Sequence, residues 1–337
     1  MDGGDAVPLG EVAVRGYDRP LPIWQLGQDL DFRMQRRYVT VDVFTDRAFG
    51  GNPLAVVLDA GGLSSAQMQA IASEFNYSET TFVLPPADGA NDAKVRIFTV
   101  TTEIPFAGHP NVGTAYVLAS RAAKPPPRLR FEEGAGLVPV EILTQAGKVV
   151  GAELTAPESL RKLTPFSAEN AAGCISLSAA DIGTDRHPPQ IFSVGLPFLI
   201  AEVASREALR RARPDAAAFA RVLPCDGARA IYLYTRDVPP AEKPCDLQAR
   251  MFLPGSSGLT EDPATGSATV ATAAMLADLS GERDGEFKLA IGQGVDMGRP
   301  SLLLTRVSKE SGAVVSAHVG GGCVEMMEGT FRLAGEG

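Results

Sequence analysis

The sequence predicts an α+β protein of two similar domains, each a mixed β-sheet wrapped around one central apolar helix. Three observations carry this. "RIF" at 96–98 and "RMF" at 250–252 each sit inside a strand-like run. "PFAGHPNVGTAYVLASR" and "EDPATGSATVATAAMLADL" each pass a glycine turn, at Gly108 and Gly266, into a helix with almost no polar face. Strand and helix patterns around these landmarks then recur in the same order in both halves. A helix apolar all round needs burial, and a repeated unit holding one such helix closes its strands over it.

Residues 1–33 mix Gly, Pro, Asp and Arg without sustained periodicity and are expected to form a loosely attached, poorly ordered arm. The fold is expected to begin near Arg37, where Val39, Val41 and Val43 alternate with Tyr38, Thr40 and Asp42 as in a strand. "FGGNP" reads as a turn and "LAVVL" as a buried strand. Ser64 with Gln67 three residues on makes a capping box for a helix whose Met68, Ile71 and Phe75 share a face. "YSETTFVLPP" and "KVRIFTV" return as strands, "TTEIPFAGHP" as a loop, and "NVGTAYVLASR" as the first apolar helix. Strands at "LRFEE", "GLVPVEIL" and "VVGAELTA" complete a first domain at 37–157, to which a C-terminal strand at about 325–333 is expected to return.

The second domain, 158–324, repeats the plan. "IFSVGLPFLIAEVAS" sets a glycine and a proline before an apolar strand, and Ser205 and Asp215 are placed to cap short helices. After "LQARMFLPG" and the second apolar helix come strands at "FKLAIGQGV", "SLLLTRV", "AVVSAHV", "CVEMMEG" and "TFRLA". "DMGRPS", with Arg299 and Ser301, and "GGG" at 320–322 read as turns.

Composition narrows the function. The 337 residues are 45% hydrophobic, enough for two cores, and a net charge of −9 disfavours nucleic acid and anionic membranes as partners. No apolar run approaches the roughly 20 residues of a membrane span, and the acidic "MDGGD" start lacks a secretion signature, so a cytoplasmic protein is expected. Cys174, Cys225, Cys245 and Cys323 are scattered without a C-x-x-C pair, which suits reduced thiols, and three dispersed histidines offer no metal-ligand spacing. No G-x-G-x-x-G follows a strand and no P-loop, G-x-S-x-G elbow or H-E-x-x-H helix occurs, so no cofactor is expected.

The apolar helices have polar mouths: Gly108 and His109 on one, Glu261, Asp262, Gly266 and Ser267 on the other. The first backbone N–H groups of a helix lack partners, and a glycine lets another group approach them. Two such mouths on one cleft would suit a small carboxylate ligand. Ser267 by itself is equally readable as a helix cap.

"VDVFTDRAFGGNPLAVVLDA", "YSETTFVLPP", "RIFTVTTEIPFAGHPNVGTAYVL", "RMFLPG", "EDPATGSA" and "GQGVDMGRPS" together resemble the phenazine-biosynthesis isomerase (PhzF-like) family, in order from about residue 38 to the C-terminus. The resemblance implies the diaminopimelate-epimerase-like fold, with the site between the two domains, and a homodimer. It implies Glu79, in the S-E-T-x-F motif, as the proton-transferring residue, with His109 of F-A-G-H-P and Asp262 of E-D-P-A-T-G-S beside it. Ser78, Gly108, Gly266 and Ser267 fall on ligand-contacting positions, and Gln293 is a further ligand candidate. Val100 stands where many members carry proline, which bears on loop shape. Cysteine-based racemases of the same fold carry a cysteine at each helix mouth, and both mouths here lack one.

Chemically, Glu79 and Asp262 in one poorly hydrated site would raise a carboxyl pKa, which suits a group that delivers a proton to one carbon and removes it from another. His109 would hold a hydroxyl or amino substituent or relay the proton. The expected activity is a cofactor-independent proton shift within a small unsaturated or amino-bearing carboxylic acid. The alternatives are a glutamate-based epimerase and a non-catalytic ligand-binding protein. Gly266→Val is expected to abolish carboxylate binding by blocking the mouth and straining the turn.

Overall fold

The computed structural model describes residues 7–12, 21–25 and 35–333, except 243, 256 and 257. Within the arm, strands β1 (Val7–Val12) and β2 (Leu21–Gln25) pair antiparallel with each other. The rest of residues 1–34, and with it the expectation of poor order, lies outside the described residues.

The body starts at β3 (Gln35–Val43), which turns through the Gly50–Gly51 bend into antiparallel β4 (Asn52–Val57). Helix α1 (Ser65–Phe75) opens with the Ser64–Gln67 capping box and buries Met68, Ile71 and Ala72. It carries the chain across, so that β5 (Glu79–Leu84) lies parallel to β4. β6 (Ala93–Thr99) is antiparallel to β5, and the short β7 (Glu103–Ile104) folds back on it. Helix α2 (Gly108–Arg121) follows, then β8 (Arg128–Glu133) parallel to β6, and antiparallel β9 (Gly136–Gln145) and β10 (Lys148–Thr155).

Strand β11 (Arg161–Pro165), helix α3 (Ala168–Cys174) and β12 (Ile182–Gly183) have no counterpart in the sequence reading, being short and weakly periodic. From there the second half repeats the first step by step. β13 (Gln190–Ser193) is antiparallel to β14 (Pro197–Val203), and helices α4 (Arg206–Arg211) and α5 (Ala216–Val222), capped by Ser205 and Asp215, lead to β15 (Ile231–Thr235) parallel to β14. β16 (Leu247–Gly255) and β17 (Gly258–Asp262) form the hairpin that precedes α6 (Gly266–Asp278). β18 (Gly285–Gln293) is parallel to β16, and β19 (Ser301–Glu310) and β20 (Ala313–Arg332) follow antiparallel.

The "RIF" and "RMF" echoes are one device used twice. Arg96 forms a two-pronged pair with Glu103 across β6 and β7 at 2.7 and 2.6 Å; Arg250 does the same with Glu261 across β16 and β17 at 2.8 and 2.7 Å. Each guanidinium also lies over the phenylalanine two residues on, 5.1 Å from Phe98 and 4.8 Å from Phe252.

β20 belongs to both halves. Its first part runs beside β19 and, from His318 to Gly322, also beside β10; its second part pairs with β3. This closes β3, β4, β5, β6, β8, β9, β10 and β20 around α2. The second ring closes around α6 through backbone bonds from Ala156 to Ala317 and from Glu158 to Val194. The "GGG" segment is therefore strand interior rather than a turn. A Cβ on Gly321 would meet Phe44 at 2.9 Å, and one on Gly320 would meet the Ala152 carbonyl at 2.7 Å, so these glycines permit close strand approach. The two helices present Val112, Ala115, Val117 and Ala119, and Ala268, Val270, Ala271 and Ala274, to a shared apolar core.

Candidate active site

Glu79 enters the site through local geometry. α1 ends at Asn76 in the left-handed conformation (φ 54°), and the chain enters β5 with Glu79 as its first residue. Side chains two apart share a strand face. Thr81 on that face contacts Thr114 of α2, with hydroxyl oxygens 2.8 Å apart, so Glu79 faces the first turn of α2. There its Oε2 lies 3.5 Å from His109 Nε2. Both atoms are buried and neither has a hydrogen-bond partner among the described residues.

Asp262 ends β17 and is braced on all sides. Thr265 Oγ1 donates to Oδ2 at 2.5 Å, and Asn52 Nδ2 donates to Oδ1 at 2.9 Å. Asn52 comes from the other half of the molecule. Its amide nitrogen also donates to the Ala264 carbonyl at 2.9 Å and lies 3.4 Å from His109 Nδ1. Both amide protons go to Asp262 and Ala264, so His109 Nδ1 makes only a longer third contact with this nitrogen.

Electrostatics divide the three groups into distinct protonation states. Burial, and then the charge of Asp262, push the Glu79 carboxyl up to about 8. Burial raises Asp262 to about 6, while the bonds from Thr265 and Asn52 hold it down. Burial alone lowers His109 to about 3. Near neutral pH the site therefore holds a protonated Glu79, a neutral His109 and an ionised Asp262. Such a set can give a proton, receive one, and keep an uncharged imidazole beside the carboxyl.

The helix mouths converge. A Cβ on Gly108 would stand 3.6 Å from both Gly266 Cα and Ser267 N, so the first turns of α2 and α6 nearly touch. Ser267 is half-buried with no side-chain bond among the described residues, and Ser78 is exposed beside Glu79. Gln293 corrects an expectation. It is fully buried, and its amide is spent on Thr265 N at 3.1 Å, Thr265 Oγ1 at 3.1 Å and Asp262 O at 2.8 Å, so it braces the turn instead of facing a ligand. Gly266 is corrected in part. No left-handed φ is present there, and a Cβ would strike Phe44 at 3.3 Å, so a side chain at 266 disturbs packing more than it covers the mouth.

Sequence reasoning missed Asn52, Thr265 and Arg299. Asn52 and Arg299 lay in stretches read as turns. Arg299 follows a short 3-10 turn (Val295–Met297), and its guanidinium reaches Asp42 Oδ1 at 2.5 Å and the carbonyls of Gly50 at 2.8 Å and Gly51 at 2.9 Å, pinning the segment that delivers Asn52. Ser301 opens β19 and donates to Pro263 O at 2.9 Å. No motif in the sequence signals the contacts of Asn52 with Asp262 or of Arg299 with Asp42, which join residues more than 200 apart.

The phenazine biosynthesis-like protein family model matches residues 41–329. The chain belongs to this family. Phenazine biosynthesis-like relatives include trans-2,3-dihydro-3-hydroxyanthranilate isomerase of Pseudomonas chlororaphis, 35% identical over 296 residues, which span 88% of this chain and 99% of that protein. An uncharacterized isomerase of Mesorhizobium japonicum is 38% identical over 312 residues, spanning 88% and 99%. Among solved structures, a PhzF family protein of Bacillus anthracis superposes with a TM-score of 0.79 at 27% identity, covering 89% of this chain and 99% of that one. A hydroxyproline epimerase from Agrobacterium vitis shares the fold with a TM-score of 0.55 at 13% identity. The chain is thus an isomerase of the phenazine biosynthesis-like family. Among its described residues no helix is long and apolar enough to cross a membrane, and no three His, Cys, Asp or Glu side chains form a cluster fit for a metal.

Proposed function

We propose that this isomerase moves a proton within a small carboxylate-bearing substrate without a cofactor, with Glu79 carrying the proton. The observation that supports it most is the Glu79 carboxyl itself: held up to about 8, with a buried, unbonded Oε2 only 3.5 Å from His109. Protonated Glu79 donates to one carbon, and the carboxylate it becomes then accepts from another, which returns it to its starting state. The charge of Asp262 favours the return by raising the proton affinity of Glu79. In this reading His109, whose Nε2 lies 3.5 Å from Glu79, holds a hydroxyl or amino group of the substrate or relays the proton. The converging N-termini of α2 and α6 suit its carboxylate.

The substrate to try first is trans-2,3-dihydro-3-hydroxyanthranilate, on which the Pseudomonas relative acts by name. The test is NMR in heavy water with that compound and a panel of small unsaturated or amino-bearing carboxylic acids. Conversion with deuterium entering one carbon, lost in Glu79→Gln, supports the proposal; exchange at a single stereocentre with no shift of a double bond favours an epimerase. No conversion and no exchange with any of them would point to a ligand-binding protein.

Asp262→Asn tests the electrostatic part. Removing that charge should lower the proton affinity of Glu79, so the alkaline limb of residual turnover moves to lower pH while ligand affinity stays within a few-fold. An unmoved limb would show that Asp262 does not tune Glu79.

A further inference from the structure

The halves differ sharply at the far ends of their central helices. Thirteen residues beyond the first residue of α2 stands Arg121, fastened to Glu325 at 3.0 Å and to Glu328 at 3.5 Å. The matching position beyond Gly266 is Leu279, which is 43% exposed. Beside it lies a cavity of about 380 Å³, bordered by the last turns of α6 and by β18 and β19. At about 1.5 Å per residue, α6 separates it from the mouth at Gly266 by roughly 15–20 Å, so it is distinct from the cleft.

Its walls combine two chemistries. Leu276, Leu279, Phe287 and Leu289 supply an apolar surface, and Arg186, Arg236 and Lys288 stand around it. Arg186 has no ion pair or side-chain hydrogen bond among the described residues. Arg236 is held 3.3 Å from Glu202, which also accepts from the Tyr234 hydroxyl at 3.0 Å, so that guanidinium is pre-placed. Lys288 is spent on Glu286 at 2.7 Å, and Asp278 on Lys162 at 2.5 Å. Behind Phe287, 5.7 Å from its ring centre, is the buried Lys309 ammonium; it donates to Ala277 O at 2.9 Å and has no carboxylate within 4.0 Å among the described residues. Arg186 and Lys309 thus stand beside the cavity without a carboxylate partner among the described residues, although the chain carries −9 overall. Inorganic phosphate would gain nothing from the leucines, and a neutral hydrocarbon nothing from the arginines.

We propose that this cavity is a second ligand site, for a small amphipathic monocarboxylate whose apolar body rests on Leu276, Leu279, Phe287 and Leu289 and whose carboxylate faces Arg186 and Arg236. The volume suits such a molecule, since ligand pockets begin at about 300 Å³. The site does not depend on the isomerase reading.

The test is calorimetric titration of the full chain with octanoate, with octanol and inorganic phosphate as controls. Octanoate should bind saturably, octanol at least about tenfold more weakly, and phosphate not at all. Arg186→Ala should weaken octanoate about tenfold, the worth of one charge-assisted bond, and leave octanol unchanged. Leu279→Asp, at an exposed position that tolerates the change in folding, should remove both. Circular dichroism checks that each variant is folded. Absence of octanoate binding by the parent overturns the proposal, as does octanoate binding that neither variant changes. Self-association of the parent that Leu279→Asp abolishes, without octanoate uptake, would instead assign this face to a second copy of the chain.

Discussion

Glu79→Gln is expected to lose nearly all proton transfer and at the same time to gain stability above mildly acidic pH. The amide keeps the shape of the side chain but cannot exchange a proton, so turnover should fall by about 10³ or more while ligand affinity stays within a few-fold. The gain in stability follows from linkage. Unfolded, Glu79 ionises at its ordinary value near 4.5; folded, it stays protonated up to about 8. The folded state binds the extra proton between these values, so the parent loses stability as pH rises through that window. Glutamine removes the slope. The two proteins should be equally stable below about pH 4, with the variant ahead by on the order of 5 kcal/mol once pH exceeds 8. Chemical denaturation at several pH values measures this. Equal stability of the two proteins at pH 9 would mean that Glu79 is not held protonated, and turnover retained within tenfold would remove it from the mechanism.

Gly108→Val is expected to have the second largest effect. The two helix mouths meet at Gly108, where a Cβ stands 3.6 Å from the Ser267 amide nitrogen. That spacing is ordinary contact, and the backbone there is not left-handed, so Gly108→Ala should fold and melt at or slightly above the parent temperature. The methyl nevertheless covers the N–H groups that a carboxylate would use, and affinity should fall about tenfold. Valine adds two carbons in the same gap and should abolish binding, a loss of a hundredfold or more by calorimetry with the substrate carboxylate. Ser267→Ala removes one hydroxyl and should cost only about 0.5–1.5 kcal/mol. If Gly108→Val binds as the parent does, the carboxylate is not held between the helix mouths. Gly266 is the poorer probe, because a side chain there pushes on Phe44 and mixes binding with packing.

The repeat was legible because it is written in local patterns: alternating strands, a capping box at Ser64, and two helices apolar on every face. The polar mouths were legible in residue type, at Gly108 and His109 and at Asp262, Gly266 and Ser267, whereas a role for Glu79 was implied only by the resemblance to the isomerase family. Glycines were harder. "GGG" at 320–322 carries the same letters in a turn as in a strand interior. What separates the two is the Phe44 ring and the Ala152 carbonyl pressed against it, neither of which is nearby in sequence.

The sequence by itself determined that there are two wrapped helices, which residues open them, and which residue types line the mouths; an all-apolar helix must be covered on every side, and strands flank each of these two. Tertiary structure alone decided which groups act together. Asn52, from the same half as His109, reaches across to Asp262 of the other half, Gln293 is consumed in bracing Asp262, and Arg299 clamps segments distant in sequence instead of serving only as a turn residue. The physical reason is range: periodicity and capping act over a few residues, whereas a buried amide or guanidinium takes its role from whichever unsatisfied atoms the closed sheets bring within about 3 Å.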